Sequence, residues 1–157
     1  MTSVEPSPID PSSIEIRQAT LIDVPIIHAL LRPYVMQRLL LGRTEAELVE
    51  LSRHGFVAID KSRDSPVQTV GFCAVEIYSP KLAELQALVV HHDYRGQGVG
   101  RELVQACVDR AKGLGVMEVM AISSNEEFLR GCGFDYSLPD QKRALFCQLR
   151  PRPKEDQ

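Results

Sequence analysis

The sequence predicts a single α+β (or α/β) domain, in which helices flank a central, twisted, mixed and mostly antiparallel sheet. Its 157 residues lie within the usual size of one domain, and 44% of them are hydrophobic, which is enough for a core. Strand-like apolar runs and segments of helical period follow one another in the order β-α-α-β-β-β-α-β-α-β-β. This order combines a meander of strands with two crossovers, and such a combination is typical of one mixed sheet.

The first half of the chain is predicted to contain three strands and two helices. A capping-box pattern, Thr20 with Asp23, marks the start of the first helix, and Pro33 is expected to interrupt it. A second capping pattern begins at Thr44. The predicted elements are strand Ile14–Arg17, the helix after Thr20, helix Thr44–Arg53, strand Phe56–Ile59 and strand Val70–Tyr78.

The second half is predicted to begin with a strand that leads directly into a glycine-rich turn. A helix follows the turn, because apolar residues recur every three or four positions after Val99, and Gly113 or Gly115 ends it. The predicted elements are strand Ala83–His91, the helix from Val99, strand Val116–Ile122, helix Asn125–Gly131, strand Phe134–Tyr136 and strand Arg143–Leu149.

Composition defines the ends of the domain and excludes several classes of protein. Residues 1–13 are rich in proline and serine and are interpreted as a flexible tail, residues 14–150 as the domain, and residues 151–157 as a second tail.

The formal charge of −3 gives no basic surface for nucleic acid, and no apolar run is long enough to span a membrane. No secretory signal is visible either, so we expect a cytoplasmic protein. Four cysteines without metal-ligand spacing are expected to be buried thiols without disulfides; they are Cys73, Cys107, Cys132 and Cys147.

The most informative motif is the glycine-rich turn between a strand and the helix that begins at Val99. Main-chain N–H groups and the positive end of the helix dipole meet at such a turn, which favours an anion such as a pyrophosphate. The pattern is not a P-loop, because Val99-Gly100-Arg101 follows Gly98 where Lys and Ser or Thr are needed, and its spacing is not that of a dinucleotide fold. A plain helix-entry turn is the alternative interpretation of the motif alone.

Three segments resemble the GNAT family of N-acetyltransferases, in the same order and at similar spacing. They are Leu88–Val90 with Asp93-Tyr94-Arg95 and the glycine turn, Val119–Ser124 leading to Asn125, and Phe128–Phe134. The resemblance covers the chain from about Ile14 to Leu149. It implies the fold of that family, with acetyl-CoA as the donor and direct transfer of the acetyl group to an amine.

A looser resemblance links the chain to the acetyltransferase domain of the N-acetylglutamate synthases. It is carried by Ile16–Thr20, Leu31–Pro33, Leu39–Thr44 and Ala83–Arg95. Those enzymes tend to have two adjacent arginines where this chain has Gly42-Arg43, so one expected carboxylate contact is missing. Many of them also carry an amino-acid-kinase domain upstream, for which this chain has no room.

The family resemblance implies a donor site along the strand and the glycine turn, with no metal. Main-chain N–H groups of the turn would hold the pyrophosphate of coenzyme A, the strand would pair with the pantetheine arm, and Asn125 and Phe128 would lie along that arm. Arg95 and Arg101 are either phosphate ligands or ordinary surface charges. The implied cofactor-binding residues are Leu88, Val89, Val90, Arg95, Gly96, Gln97, Gly98, Val99, Gly100, Arg101, Asn125 and Phe128.

Transfer to an ammonium group requires a base, and Glu84 is the candidate, because the resemblance places a functional glutamate after Ala83. Alternation along a strand predicts that Glu84 shares a face with Gln86, Leu88 and Val90. A solvated glutamate at the strand end is the other interpretation.

The departing thiolate needs a proton, but the tyrosine that many family members use is replaced by Leu129. Ser123 or Ser124 is the candidate acid, as in the glutamate synthases, and Tyr136 is an alternative. The two serines are equally well interpreted as caps of the helix that follows.

The acceptor is expected to be a small-molecule amine, specifically an amino acid such as glutamate. Three arginines are candidates for its carboxylate, since a guanidinium binds both oxygens; they are Arg17, Arg43 and Arg143. His91 and His92 are interpreted as turn residues near the donor rather than as a base or metal ligands. The alternatives are a protein or peptide N-acetyltransferase and a non-catalytic, acetyl-CoA-binding regulatory module. The resemblance also raises the expectation of a homodimer.

Overall fold

A computed structural model describes residues 9–62, 68–123, 125–136, 145 and 147–150. The chain divides into two compact units, Met1–Ser124 and Asn125–Gln157. The described elements of the first unit are strands β1 (Ile14–Gln18), β2 (Gly55–Asp60), β3 (Thr69–Ser79), β4 (Leu82–Val90) and β5 (Glu118–Met120), with helices α1 (Val24–Met36), α2 (Glu45–Ser52) and α3 (Val99–Gly113).

The sheet of the first unit has the strand order β1-β2-β3-β4-β5. The first four strands pair antiparallel, and β5 pairs parallel to β4 after the crossover through α3. The predicted mixed, mostly antiparallel sheet with flanking helices is therefore confirmed.

Two apolar clusters lie on opposite faces of this sheet, because neighbouring residues of a strand point to opposite sides. Phe72 and Ala74 of β3 pack with α1 and α2, whereas Cys73 and Val75 pack with α3. The residues of α3 that pack on the second face are Val99, Leu103, Cys107 and Ala111. The two faces of the sheet are thus covered by different helices.

Strand β4 contains a bulge at Ala87, whose φ of +57° is unusual for a residue with a side chain. Phe72 of β3 pairs with Val89, but Ala74 pairs with Gln86, so β4 carries one more residue than β3 between these pairs. A bulge of this kind reverses the alternation of side chains beyond it.

The bulge overturns our prediction that Glu84, Gln86, Leu88 and Val90 share one face. Gln86 lies opposite Ala74, on the face covered by α1 and α2, and Glu84 lies on the same face two residues away. Leu88 and Val90 pack against the cluster on the α3 face instead. The extra residue between Gln86 and Leu88 is the physical reason.

Two predicted element boundaries differ from the structure. Helix α1 continues through Pro33 to Met36, because a proline removes only one hydrogen bond and the Gln37 N–H still bonds to the Pro33 carbonyl at 3.1 Å. Strand β5 covers only Glu118–Met120 of the predicted Val116–Ile122, since its pairing with β4 stops at Glu84.

Residues 9–13, predicted to belong to a flexible tail, are structured. Pro11–Ser13 form a 3-10 turn capped by Asp10, and the Ser13 hydroxyl donates to Asp60 at 3.1 Å. Among the described cysteines Cys73 and Cys107 are buried as predicted, whereas Cys132 is partly buried and Cys147 is exposed. Within the described residues, none of the helices combines the length and the apolar character that crossing a membrane requires.

The second unit contains helix α4 (Glu126–Gly131). Asn125 caps its start by accepting from the Phe128 N–H at 3.2 Å, and Gly133, with φ +90°, ends it. The Phe134 N–H closes this end by bonding to the Leu129 carbonyl at 3.0 Å, so the predicted strand Phe134–Tyr136 is not formed. Of the predicted strand Arg143–Leu149, the described residues are not in a strand, and the others lie outside the described part of the chain.

Candidate active site

The glycine turn has the geometry of an anion site. Gly96 and Gly98 adopt φ values of +75° and +84°, as the sequence predicted. Apart from each glycine and its two chain neighbours, no described residue has a heavy atom within 4 Å of a Cβ placed on either. The first main-chain bond of α3 runs from the Glu102 N–H to the Gly98 carbonyl at 3.0 Å, and the N-cap residue Gly98 has no side chain that could cap the helix. The N–H groups of Val99, Gly100 and Arg101 therefore have no partner among the described residues, at the positive end of a 15-residue helix.

The turn is anchored to the core through Tyr94, which is almost completely buried. Its hydroxyl donates to the Asp60 carboxylate at 2.5 Å, and Asp60 also accepts from the Ser62 N–H at 2.9 Å. Burial raises the pKa of Asp60, but hydrogen bonds from Ser62, Tyr94 and Ser13 outweigh it and lower that pKa to about 2. The hydrogen bond between Tyr94 and Asp60 thus fixes the start of the glycine turn to the end of β2.

Two arginines and one glutamine complete the turn. Arg95 is exposed, with its guanidinium 5.2 Å from the centre of the Tyr34 ring and its Nε 3.4 Å from the Val90 carbonyl. Arg101 is exposed on α3. The side-chain oxygen of Gln97 is buried and accepts no hydrogen bond from any described residue.

Strand β4 runs into this turn with part of one edge unpaired. Its pairing with β5 covers Leu82 to Glu84, and within the described residues no β5 partner continues along Leu85 to Val90. This open edge leads from Glu84 to the turn and includes Leu88, Val89 and Val90. An extended ligand can therefore pair with main-chain groups there, as a further strand would.

A hydrogen-bonded polar cluster surrounds Glu84 on the face covered by α1 and α2. The Tyr78 hydroxyl donates to Glu84 at 2.5 Å, and Glu84 lies directly opposite Glu76 in the β3–β4 pairing. The Gln86 amide nitrogen lies 3.3 Å from the Glu76 carboxylate and 3.4 Å from the Tyr78 hydroxyl. Burial and the hydrogen bond to Glu84 raise the pKa of Tyr78, so the hydroxyl keeps its proton at neutral pH.

The cluster continues to Arg43, in the connection between α1 and α2. Its guanidinium donates to the Gln86 side-chain oxygen at 2.5 Å and to the Leu41 carbonyl at 3.1 Å. Burial lowers the pKa of Arg43, and the charges of Glu47 and other nearby carboxylates oppose this shift. Gln86 thus links a half-buried cation at one end of the cluster to Glu84 at the other.

A cavity of about 640 Å³ lies beside this cluster, between α2 and the β3–β4 strands. Such a volume suits a small molecule. Its charged and polar lining residues are Arg43, Glu47, Glu50, Arg53, His54, Glu76 and Gln86.

The structure shows other contacts for some of the remaining predicted site residues and does not describe the rest. Arg17 forms two 2.8 Å bonds with the buried Asp23 and so secures the turn before α1. Ser123 is exposed after β5, whereas Ser124 and Arg143 lie outside the described residues. Asn125 and Phe128 belong to the second unit, where Asn125 caps α4.

The sequence interpretation assigned no role in the site to Tyr78, Glu76 or Gln86. The short turn at Pro80 could have indicated their position, because it fixes the β3–β4 register and places Glu76 opposite Glu84. His91 begins a 3-10 turn, and its Nδ1 accepts from the Asp93 N–H at 3.2 Å, in agreement with a turn residue.

The Acetyltransferase (GNAT) family model matches residues 27–134. The chain belongs to the GNAT family. An uncharacterized N-acetyltransferase of Chlorobaculum tepidum is 32% identical over 119 residues, which are 76% of this chain and 74% of that protein. The amino-acid acetyltransferase of Pasteurella multocida is 32% identical over 134 residues, 82% of this chain and 29% of that protein. This chain thus spans about three-tenths of the amino-acid acetyltransferase.

A solved structure supports the same assignment. N-acetylglutamate synthase from Neisseria gonorrhoeae, complexed with coenzyme A and N-acetyl-glutamate, has a TM-score of 0.66 and 26% identity over 75% of this chain and 27% of that one. The predicted resemblance to the acetyltransferase domain of such enzymes is confirmed. This GNAT protein is accordingly an N-acetyltransferase that uses acetyl-CoA as its donor.

Proposed function

We propose that this GNAT protein transfers the acetyl group of acetyl-CoA to the α-amine of a free amino acid. The observation that carries the proposal is the hydrogen-bonded series Arg43–Gln86–Tyr78–Glu84 beside a cavity of about 640 Å³. It presents a cation and a carboxylate on one face, and an amino acid carries a carboxylate and an ammonium. Relatives named amino-acid acetyltransferase support the same acceptor class.

The donor side of the site is assigned to the turn and to the open edge of β4. The N–H groups from Gln97 to Arg101 would hold the pyrophosphate, since three of them lack partners among the described residues and the glycines leave space for it. Leu88, Val89 and Val90 would pair with the pantetheine arm. Arg95 and Arg101 are exposed close to this turn and would add positive charge.

The acceptor side is assigned to Arg43 and Glu84. Arg43 would bind the substrate carboxylate with two parallel N–H bonds, which suits its planar guanidinium. Gln86 is the positioning residue, because its side-chain oxygen already orients Arg43 at 2.5 Å. Glu84 would take the proton of the substrate ammonium.

Acetyl-CoA supplies a thioester carbonyl, which an uncharged amine attacks directly. An ammonium must first lose a proton, and the Glu84 carboxylate accepts it. Tyr78 donates to that carboxylate and fixes its orientation. We still predict that Ser123, Ser124 or Tyr136 donates the proton that the departing thiolate takes up.

The test is a thiol-release assay with acetyl-CoA against amino acids, polyamines and short peptides. Glu84→Gln should lower kcat by about 100-fold or more while the Kd for coenzyme A stays unchanged. Glu118→Gln, which removes an exposed carboxylate from β5, is the matched control and should retain full turnover. Coenzyme A binding without turnover on any amino acid would reject the proposal, as would peptides acetylated in preference to every amino acid.

A further inference from the structure

We infer that the acceptor pocket selects amino acids whose side chains are neutral or positively charged, and that Glu47 and Glu76 are the residues that exclude an acidic side chain. The inference rests on the proposed function and deepens it. It departs from the glutamate that the sequence resemblance led us to expect.

Two of the lining charges neutralise each other. Glu50 and Arg53 lie one helical turn apart and pair at 3.3 Å, with both side chains about two-thirds exposed. His54 contributes no charge at neutral pH, because burial and the nearby Arg110 lower its pKa, and its Nδ1 accepts from the Arg110 Nε at 3.3 Å. Glu50, Arg53 and His54 together therefore carry no net charge.

Among the described lining residues, the remaining charges are one cation and two carboxylates. Arg43 is the cation, and its side chain is directed by the uncharged Gln86 amide rather than by an acid. Glu47 and Glu76 line the same cavity, and both exert a Coulombic effect on Arg43. Glu47 also accepts from the Thr44 N–H at 2.7 Å, which fixes its carboxylate at the start of α2.

A bound amino acid pairs its two charged groups with Arg43 and Glu84. Glu47 and Glu76 then have no substrate cation opposite them. The substrate carboxylate neutralises Arg43, and the substrate ammonium faces Glu84. Glu47 and Glu76 then remain negative next to the space for the side chain. A second substrate carboxylate would meet like charge, whereas an amide or an ammonium would donate to these acids.

The test compares glutamate, glutamine and lysine as acceptors of the intact chain at one ionic strength. Glutamine and glutamate have nearly the same shape, so the ratio of their kcat/KM values measures the effect of the side-chain charge alone. We expect the ratio to favour glutamine by about tenfold, and lysine to be acetylated better than glutamate. Glutamate acetylated as well as glutamine or better would overturn the inference.

The variants Glu76→Gln and Glu47→Gln assign the selectivity to residues. Each should reduce the glutamine-to-glutamate ratio at least about threefold, and Glu47→Gln keeps a side-chain oxygen for the Thr44 cap. Glu45→Gln removes a carboxylate from the same helix outside the cavity lining and should leave the ratio unchanged. A ratio that neither cavity variant changes, although each binds coenzyme A as the unmodified chain does, would overturn the inference. Absence of turnover with all three amino acids would instead reject the proposed function.

Discussion

Gly98→Ala changes the residue that joins the glycine turn to α3. Gly98 has φ +84°, where a residue with a Cβ is strained by about 1–2 kcal/mol. The open space around a Cβ at Gly98 means that no steric clash adds to this cost. Rotation of the backbone to relieve the strain would turn the adjoining N–H groups away from the anion. We therefore expect coenzyme A to bind about 5–30-fold more weakly.

Isothermal titration with coenzyme A measures this effect, and urea unfolding measures the accompanying loss of stability. Gly113→Ala is the matched control, because Gly113 lies in α3 with open space around it. Alanine is the better helix former, so the control should gain up to about 1 kcal/mol in the free energy of unfolding and keep its affinity. Unchanged affinity and unchanged stability in Gly98→Ala would show that neither the turn nor coenzyme A binding requires glycine at position 98.

Three further predictions concern Tyr94, Asp60 and Arg43. Tyr94→Phe removes a buried hydrogen bond to a carboxylate and should lower the free energy of unfolding by about 1.5–3 kcal/mol in urea at neutral pH. Asp60, with its pKa lowered from 3.8 to about 2, should contribute about 2 kcal/mol of stability above about pH 4, which is lost as the pH falls to 2. Urea titrations at successive pH values check this, and Asp60→Asn should abolish that pH dependence. Arg43→Lys should raise the acceptor KM about tenfold or more, measured by thiol release, without changing the Kd for coenzyme A, because lysine cannot form two parallel bonds.

The elements around the donor site could be predicted from the sequence because local chemistry determines them. Glycines at 96 and 98 indicated positive φ, and the helical period after Val99 located the start of α3. In the second unit, helix α4 was predicted as Asn125–Gly131, but Asn125 caps it where the sequence interpretation offered Ser123 or Ser124. Such signals depend only on residues close in sequence.

The acceptor side could not be predicted in the same way, because it depends on contacts distant in sequence. The positive φ at Ala87 has no signature in the residue itself, yet it decides which face carries Glu84. Arg43 donates a hydrogen bond to Gln86, which lies 43 positions away in the sequence. Arg17, an arginine in a segment that resembles the glutamate synthases, binds Asp23 instead of remaining available for a substrate.

The most direct test of α-amine acetylation is to identify the product that the unmodified chain makes from isotope-labelled acetyl-CoA and a free amino acid. Nuclear magnetic resonance of the product formed with lysine distinguishes its α-amine from its side-chain amine. We expect an α-N-acetyl amino acid, and we expect the Glu84→Gln substitution to nearly abolish its formation. A label found only on the side-chain amine, or equal product from the Glu84→Gln variant, would contradict this expectation.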